Sequence, residues 1–296
     1  MSSNVKKAII PAAGMGTRFL PITKSIPKEM LPIVDKPAIH YIIDEAIKSG
    51  IEEILVIVSN SKNSIIDYFD TSVELENILL KKSKIKEKQE IENISNMVNL
   101  YFLRQKKPLG LGHAISIAKS FVKNEPFAIL LGDDIIDKNN GKFALKQCID
   151  EYEKFRCSIV GVQFVNDENI SKYGVIDIKD KKDDNAYEIK NIIEKPPLGK
   201  NPSNYAVMGR YVLTPSIFNE LEKIKPDKSG EIQLTEAIAN LLKNEKVIAK
   251  LFTGKRYDLG SKFGFLKANI NFGLKHNDTK IELNKYMKSM CLNKLK

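Results

Sequence analysis

The 296-residue chain has no tryptophan, three histidines and three cysteines. His40, His113 and His276 stand isolated, which excludes a histidine-rich metal centre. Cys148, Cys157 and Cys291 form no CxxC pair and are odd in number. A disulfide framework is therefore not expected, and three free thiols in a reducing cytosol are. No apolar run reaches the length of a membrane span, so no membrane partner is expected. The opening "MSSNVKKAIIPAAG" carries charge but no apolar leader core before a strand begins, which predicts a cytoplasmic chain. Arginine is scarce too. Of 47 basic residues only Arg18, Arg104, Arg156, Arg210 and Arg256 are arginine, so lysine is the default cation. An arginine in such a chain marks a place that needs a planar donor fork.

What is present is a basic, globular chain. The formal net charge is +10 and the hydrophobic share is 43%. The lysines are spread along the whole length. The densest cluster, "KKSKIKEKQEIE" from Lys81, is diluted by glutamates and reads as a solvated helix face or flap. No RNA-binding aromatic signature occurs, so no nucleic-acid partner is expected.

Apolar spacing alternates between short buried strands ("KKAIIPA", "EEILVIVS", "NLYFLRQ", "FAILLGDD", "CSIVGVQFV") and amphipathic helices ("PAIHYIIDEAIKSG", "SIIDYF", "GHAISIAKSF", "GKFALKQCIDEYEKF"). That alternation predicts an α/β fold: a Rossmann-like, mainly parallel central sheet with helices on both faces. In the second half "YGVIDIKD" and "AYEIKNIIEKP" read as paired strands, "IQLTEAIANLLKNE" as a helix, and "KVIAKLFTGKRYDLG" as a strand pair, so the sheet becomes mixed. No internal repeat and no Pro, Gly or Ser-rich linker divides the chain.

Ligands of open parallel sheets bind beyond the carboxyl ends of strands. "AAGMGTRF" sits at such an end. Its small residues let backbone N–H groups approach a phosphate or base edge. It is not a Walker loop, and the third glycine of a dinucleotide fingerprint is replaced by Phe19. A tight turn alone would explain the glycines. The cations Arg18 and Lys28 add weight to a phosphate reading, because Pro27 and Pro32 stiffen the backbone around Lys28. "FAILLGDD" delivers Asp133 and Asp134 to the same sheet edge. One acid there could cap a helix, as Asp137 could cap the next one. Two beside a phosphate loop point to a hard cation such as Mg²⁺. Gln105 offers both a donor and an acceptor, which suits a uracil edge or a capped loop.

"AGMGTRFLPITKSIPKEMLPIVDKP" closely resembles the GxGTR…PK signature of the sugar-nucleotide pyrophosphorylases. "FLP" after Thr-Arg and the later "PKEMLPI" resemble the bacterial UTP–glucose-1-phosphate uridylyltransferases. "RQKKPLGLGHAI", "IIEKP", "YAVMGRYVLTPSIF", "GEIQLTEAI" and "GKRYDLG" continue the match over about residues 5 to 275. After the second strand the chain reads "SNSKNS", with Lys62 the only cation, where that family usually has a Gly-Arg-x-Lys-like turn.

The resemblance implies a nucleotidyltransferase, glycosyltransferase-A-like fold in residues 1–275. The nucleotide-binding half is about 1–150, the sugar-binding half about 151–275, and 276–296 a tail. It implies UTP and glucose 1-phosphate as substrates, UDP-glucose and pyrophosphate as products, Mg²⁺ as cofactor, and a homo-oligomer, dimer or tetramer. By resemblance Ala12, Ala13, Gly14, Gly16, Gln105 and Gly110 would hold the nucleotide with Glu29 beside them. Arg18, Lys28 and Lys195 would be the catalytic cations, Arg18 and Lys28 on the triphosphate. Gly174, Glu194, Lys195 and Gly209 would hold the sugar phosphate, and Asp133 with Asp258 the metal. Glu231 would either line the site or begin a helix. A sibling enzyme using dTTP or another sugar, a non-catalytic nucleotide-sugar sensor, and a nucleic-acid binder are the competing readings. Pyrophosphate release with paired substrates discriminates among them.

Overall fold

The computed structural model describes the backbone of residues 5–293 and the side chains of residues 5–290. Cys148 and Cys157 are unpaired thiols; the reading of Cys291 lies outside the described side chains, and the start "MSSN" outside the described chain.

Strand β1 (Lys7–Pro11) shows why the chain layers as it does. Successive strand residues face opposite ways. Ala8 and Ile10 enter one apolar core and Ile9 the other. The glycine loop follows, then two minimal strands, β2 (Pro32–Ile33) and β3 (Lys36–Pro37), and helix α1 (Ala38–Lys48). After β4 (Glu53–Val58) and α2 (Asn63–Phe69), the lysine-rich segment forms two helices, α3 (Val73–Lys81) and α4 (Ile85–Ser95), neither with a buried residue. Next come β5 (Asn99–Arg104), α5 (Gly110–Ser116), α6 (Lys119–Val122), β6 (Phe127–Leu130), β7 (Asp134–Asp137) and α7 (Ala144–Phe155). The second half contains β8 (Ser158–Phe164), α8 (Asp167–Ile170), β9 (Gly174–Asp183), β10 (Ala186–Glu194), β11 (Tyr205–Leu213), α9 (Ile217–Leu221) and α10 (Leu234–Leu241). It ends with β12 (Val247–Leu251), β13 (Lys255–Asp258), α11 (Lys262–Gly273) and α12 (Lys280–Asn293). Residues of α1, α2 and α7 fill the first core, and residues of α5, α9 and α10 the second, so helices cover both faces.

The main sheet has nine strands in the order β5-β4-β1-β6-β11-β8-β12-β10-β9. Its parallel pairings are β5–β4, β4–β1, β1–β6 and β8–β12. Only β11 and β10 run against the rest, which makes the sheet mainly parallel with two reversals. β9 also meets β11, at Val175 and Ala206, so the second half curls back on itself. The carboxyl ends of β1, β4, β5 and β6 lie side by side. They place the glycine loop, the Ser59–Lys62 turn, Gln105 and Asp133 along one edge.

Two local expectations need correction. "KVIAKLFTGKRYDLG" forms two strands that do not pair with each other: β12 joins β8 and β10, whereas β13 pairs with β7 in a separate ribbon. Gly254, at φ 133°, redirects the chain between them. Asp137 does not cap a helix. It ends β7, accepts from the Asn139 N–H at 2.9 Å, and pairs with Lys275. The helix after it starts at Ala144, and its Leu145 N–H donates to Glu45 Oε1 at 3.0 Å.

Candidate active site

Two cavities open along the sheet edge and share Leu111, Leu131 and Asp133. One, of about 580 Å³, is lined by Ala13, Gly14, Lys28, Glu29, Gln105, Gly110 and Glu231 among others. The second, of about 570 Å³, is lined by Arg18, Gly174, Glu194, Lys195, Gly209 and Asp258 among others. The residues expected for a nucleotide and those expected for a sugar phosphate are thus sorted into adjoining spaces, with Asp133 at the junction. Ala12 and Gly16 line neither. Ala12 is buried and its N–H donates to Ile57 O at 2.8 Å. Gly16, at φ 66°, turns the loop and accepts from Thr23 Oγ1 at 2.8 Å. Both shape the loop from behind.

Beneath that loop, charges alternate in sign. Lys62 Nζ lies 2.7 Å from Glu29 Oε2, with the two side chains only 4% and 1% exposed. Burial pushes the Glu29 carboxyl up and the Lys62 ammonium down, and their mutual attraction opposes both shifts. Lys28 Nζ lies 2.8 Å from Asp133 Oδ2. Burial disfavours both of these charges as well, but here the pairing wins: the Lys28 ammonium is raised and the Asp133 carboxyl lowered. Gln105 Nε2 donates to Gly110 O at 3.2 Å and lies 2.9 Å from His113 Nδ1, which fixes the amide at the cavity wall. His113 sits inside the first turn of α5.

Asp133 and Asp134 diverge. Asp134 opens β7 rather than closing β6 and pairs with Arg256 Nη2 at 2.7 Å. Full burial pushes its carboxyl up to about 6, against the pull of Arg256. Arg256 also donates to Tyr173 Oη at 3.0 Å and stacks on that ring. The β7–β13 register sets Asp258 opposite Asp134, and so beside Asp133. Gly260 leaves a gap there. A Cβ on it would stand 2.9 Å from both Asp258 Oδ1 and Arg18 Nη1, and 3.5 Å from Asp133 Oδ2. Asp258 Oδ1 accepts from the Gly260 N–H at 2.8 Å and Asp133 Oδ2 from Lys28 Nζ at 2.8 Å, so both carboxylates are held around Gly260. Two carboxylates with no imidazole or thiolate match the donor set of a hard cation such as Mg²⁺ that takes further oxygens from phosphates and water. No cluster of three or more acidic, His or Cys groups is present among the described residues. A metal here would take one or two protein carboxylates. Arg18 lines the second cavity, its Nη1 3.4 Å from Gly260 O, and does not line the first one with Lys28.

In the second cavity Glu194 Oε2 accepts from Thr235 Oγ1 at 2.7 Å. Lys195, at φ 43°, lies 3.3 Å from the other Glu194 oxygen and is well exposed to the cavity. Gly209 adopts φ 62°, and a Cβ on it would stand 3.0 Å from Leu131, so glycine lets β11 cross close over the end of β6. Glu231 lies in a loop lining the first cavity; α10 starts at Leu234, after Gln233. Sequence reasoning did not single out Lys62, Thr235 or the Arg256–Tyr173 stack. Lys62 had one signal, as the only cation in its turn. The arginine reading holds in another sense: Arg210 is fully buried and grips Glu45 with Nε at 3.0 Å and Nη2 at 2.8 Å.

A glycine loop over buried cations, a paired-carboxylate gap and a second polar cavity define a class of protein that brings two phosphate-bearing ligands together at one acidic junction. The pattern of the nucleotidyl transferase family matches residues 7–273, and the chain belongs to that family. It is 49% identical over 290 residues to the UTP–glucose-1-phosphate uridylyltransferase of Bacillus subtilis (strain 168), covering 98% of each chain. Among solved structures it is similar to a UDP-glucose pyrophosphorylase complexed with UDP-glucose (46% identity, TM-score 0.84, 92% of this chain and 100% of that one). It is also similar to the UTP-bound enzyme of Acinetobacter baumannii (41% identity, TM-score 0.89, 96% and 98%).

Proposed function

We propose that the chain is a UTP–glucose-1-phosphate uridylyltransferase, joining UTP and α-D-glucose 1-phosphate to give UDP-glucose and pyrophosphate. The observation that carries this is the meeting of the two cavities at Asp133. The relatives' names supply the base and the sugar. In this reading the first half of the chain holds the nucleotide: Ala13, Gly14, Gln105 and Gly110 take the base and ribose. The second half holds the sugar through Gly174, Glu194 and Gly209.

A phosphate oxygen of the sugar forms a bond to the α-phosphorus, and the bond from that phosphorus to the bridging oxygen breaks, releasing pyrophosphate. A phosphate monoester has its second pKa near about 6, so the nucleophile is already ionised at neutral pH and needs no general base. The task is to gather anions in line and to stabilise the leaving group. Lys28 serves the triphosphate, Lys195 the sugar phosphate, and Arg18 stands between them at the carboxylate gap. Asp133 and Asp258 would hold Mg²⁺, which when bound supplies charge neutralisation shared by both substrates. The same reading places the enzyme in the cytosol as a homo-oligomer, dimer or tetramer, which light scattering checks.

Pyrophosphate release measured over a panel of nucleoside triphosphates and sugar 1-phosphates tests the function. UTP with glucose 1-phosphate should give the highest kcat/KM. A higher value with dTTP, or with another sugar phosphate, overturns the substrate assignment.

A further inference from the structure

We propose that Lys28 is a stand-in for the divalent cation: in the nucleotide-free protein its ammonium neutralises Asp133, and an incoming triphosphate draws it off and leaves that carboxylate to the metal. The inference rests on Asp133 being a metal carboxylate. Three features of the site lead to it. First, the ammonium is bonded to the very oxygen that faces the Gly260 gap, Asp133 Oδ2, at 2.8 Å. A cation entering the gap must compete with it. Second, the Lys28 stem lies under both glycines of the loop: its Cβ is 3.3 Å from where a Gly16 Cβ would stand, and its Cε 4.0 Å from that of Gly14. The ammonium can therefore swing from Asp133 to phosphates held against the loop by rotating its flexible stem, with no backbone movement. A triphosphate, with several negative charges, outbids a single carboxylate for it.

Third, the other nearby acid is already satisfied. Glu29 follows Lys28 in the chain, is nearly sealed, and is held by Lys62 at 2.7 Å. A buried carboxylate without a partner strongly attracts any cation in reach. Asp133 is the stronger of the two acids acting on Lys28, and Glu29, already bonded by Lys62, the weaker, so the two positions open to the ammonium are Asp133 and the triphosphate. Lys62 is thus a positioning residue, acting through Glu29. The consequence is an order of events: the metal is captured with or after the nucleotide, and the empty site does not hold it.

Mn²⁺ binding without nucleotide, read from the EPR signal of the free ion, tests this. Lys28→Met should bind Mn²⁺ at least tenfold more tightly than wild type, and Lys28→Met/Asp133→Asn should lose the gain. Lys195→Met, which removes a cation elsewhere in the adjoining cavity, should show no gain. Lys62→Met should show a gain, because Glu29 then draws Lys28 away, and Lys62→Met/Glu29→Gln should return to the wild-type value. Equal affinity in wild type and Lys28→Met overturns the stand-in role while leaving the metal assignment to its own test. A gain that survives in the Asp133→Asn double variant overturns the metal assignment. A gain of equal size in Lys195→Met shows only general electrostatics and also sinks the proposal. Wild-type affinity in Lys62→Met, or a gain in its Glu29→Gln double, removes Lys62 from the device.

Discussion

In the proposed reaction Lys195 is the residue whose role depends most on charge alone. It projects from a left-handed backbone position into the second cavity, its ammonium 3.3 Å from Glu194 and its backbone N–H donating to Tyr173 O at 3.1 Å. Lys195→Ala should lower kcat about a hundredfold, in line with a few kcal/mol of transition-state stabilisation, while the KM for UTP changes little. Steady-state kinetics at saturating glucose 1-phosphate checks it, and unchanged kcat would remove Lys195 from the chemistry. Asp133 and Asp134 make a second contrast. Asp133→Asn should shift the Mg²⁺ requirement upward, with partial rescue by excess Mg²⁺. Asp134→Asn should keep the wild-type Mg²⁺ dependence and instead lower stability, since its carboxylate holds Arg256. Initial rate against Mg²⁺ concentration for both variants decides; the same curve for Asp133→Asn and wild type would end the metal assignment. At this scale the gathering of Asp133, Lys28 and Gln105 around one cavity was legible, because each lies in or just after a segment that reads as a strand end or loop. The Lys62–Glu29 pair was not, because it joins residues 33 apart in sequence, and only the parallel neighbours β1 and β4 bring them together.

Elements carry the site through partners that sequence does not announce. The alternation of strands and helices was legible because burial repeats locally. The β7–β13 ribbon was not, because strand pairing is settled by tertiary packing, and a turn glycine after an apolar strand reads equally well as a hairpin. That ribbon is what sets Asp258 beside Asp133. It is tied to the rest by Arg210 of β11, which bonds Glu45 of α1 and donates through Nη2 to the Asp134 carbonyl at 2.8 Å. Removing one member of a fully buried ion pair leaves the other charge uncompensated, at a cost of about 3–5 kcal/mol. Arg210→Met should lower unfolding stability by about that amount, and Arg210→Met/Glu45→Leu should recover most of it. Urea unfolding reports both. A midpoint unchanged in the single variant would show that α1, β7 and β11 are held together without the pair.

For the whole molecule, the net charge of +10 is spread over a surface where many lysines are paired with neighbouring acids. The two-sided layering followed from the sequence pattern, but the curl that lets β9 meet β11 did not, since it joins segments far from any shared turn. The molecule's response to acid has a specific source. His40, on α1, is buried with Nδ1 3.1 Å from Tyr68 Oη. Burial, helped by the Lys36 charge, pushes its imidazole down to about 4 from an ordinary 6.5. Between those values the unfolded chain binds a proton that the folded one refuses. Stability is thus full above about pH 6.5, falls as pH drops toward about 4, and levels off below. From pH 7.5 to pH 5 this group alone should cost about 2 kcal/mol. His113, also pushed down by burial, acts in the same direction, so the comparison must be between proteins that share it. His40→Gln keeps a polar partner for Tyr68 and cannot take up the proton. Urea unfolding at the two pH values should show the variant losing about 2 kcal/mol less than wild type. Other groups that titrate in the window contribute equally to both proteins, and the difference isolates His40. An identical loss in the two would mean that the imidazole of the folded protein protonates as freely as it does in the unfolded chain.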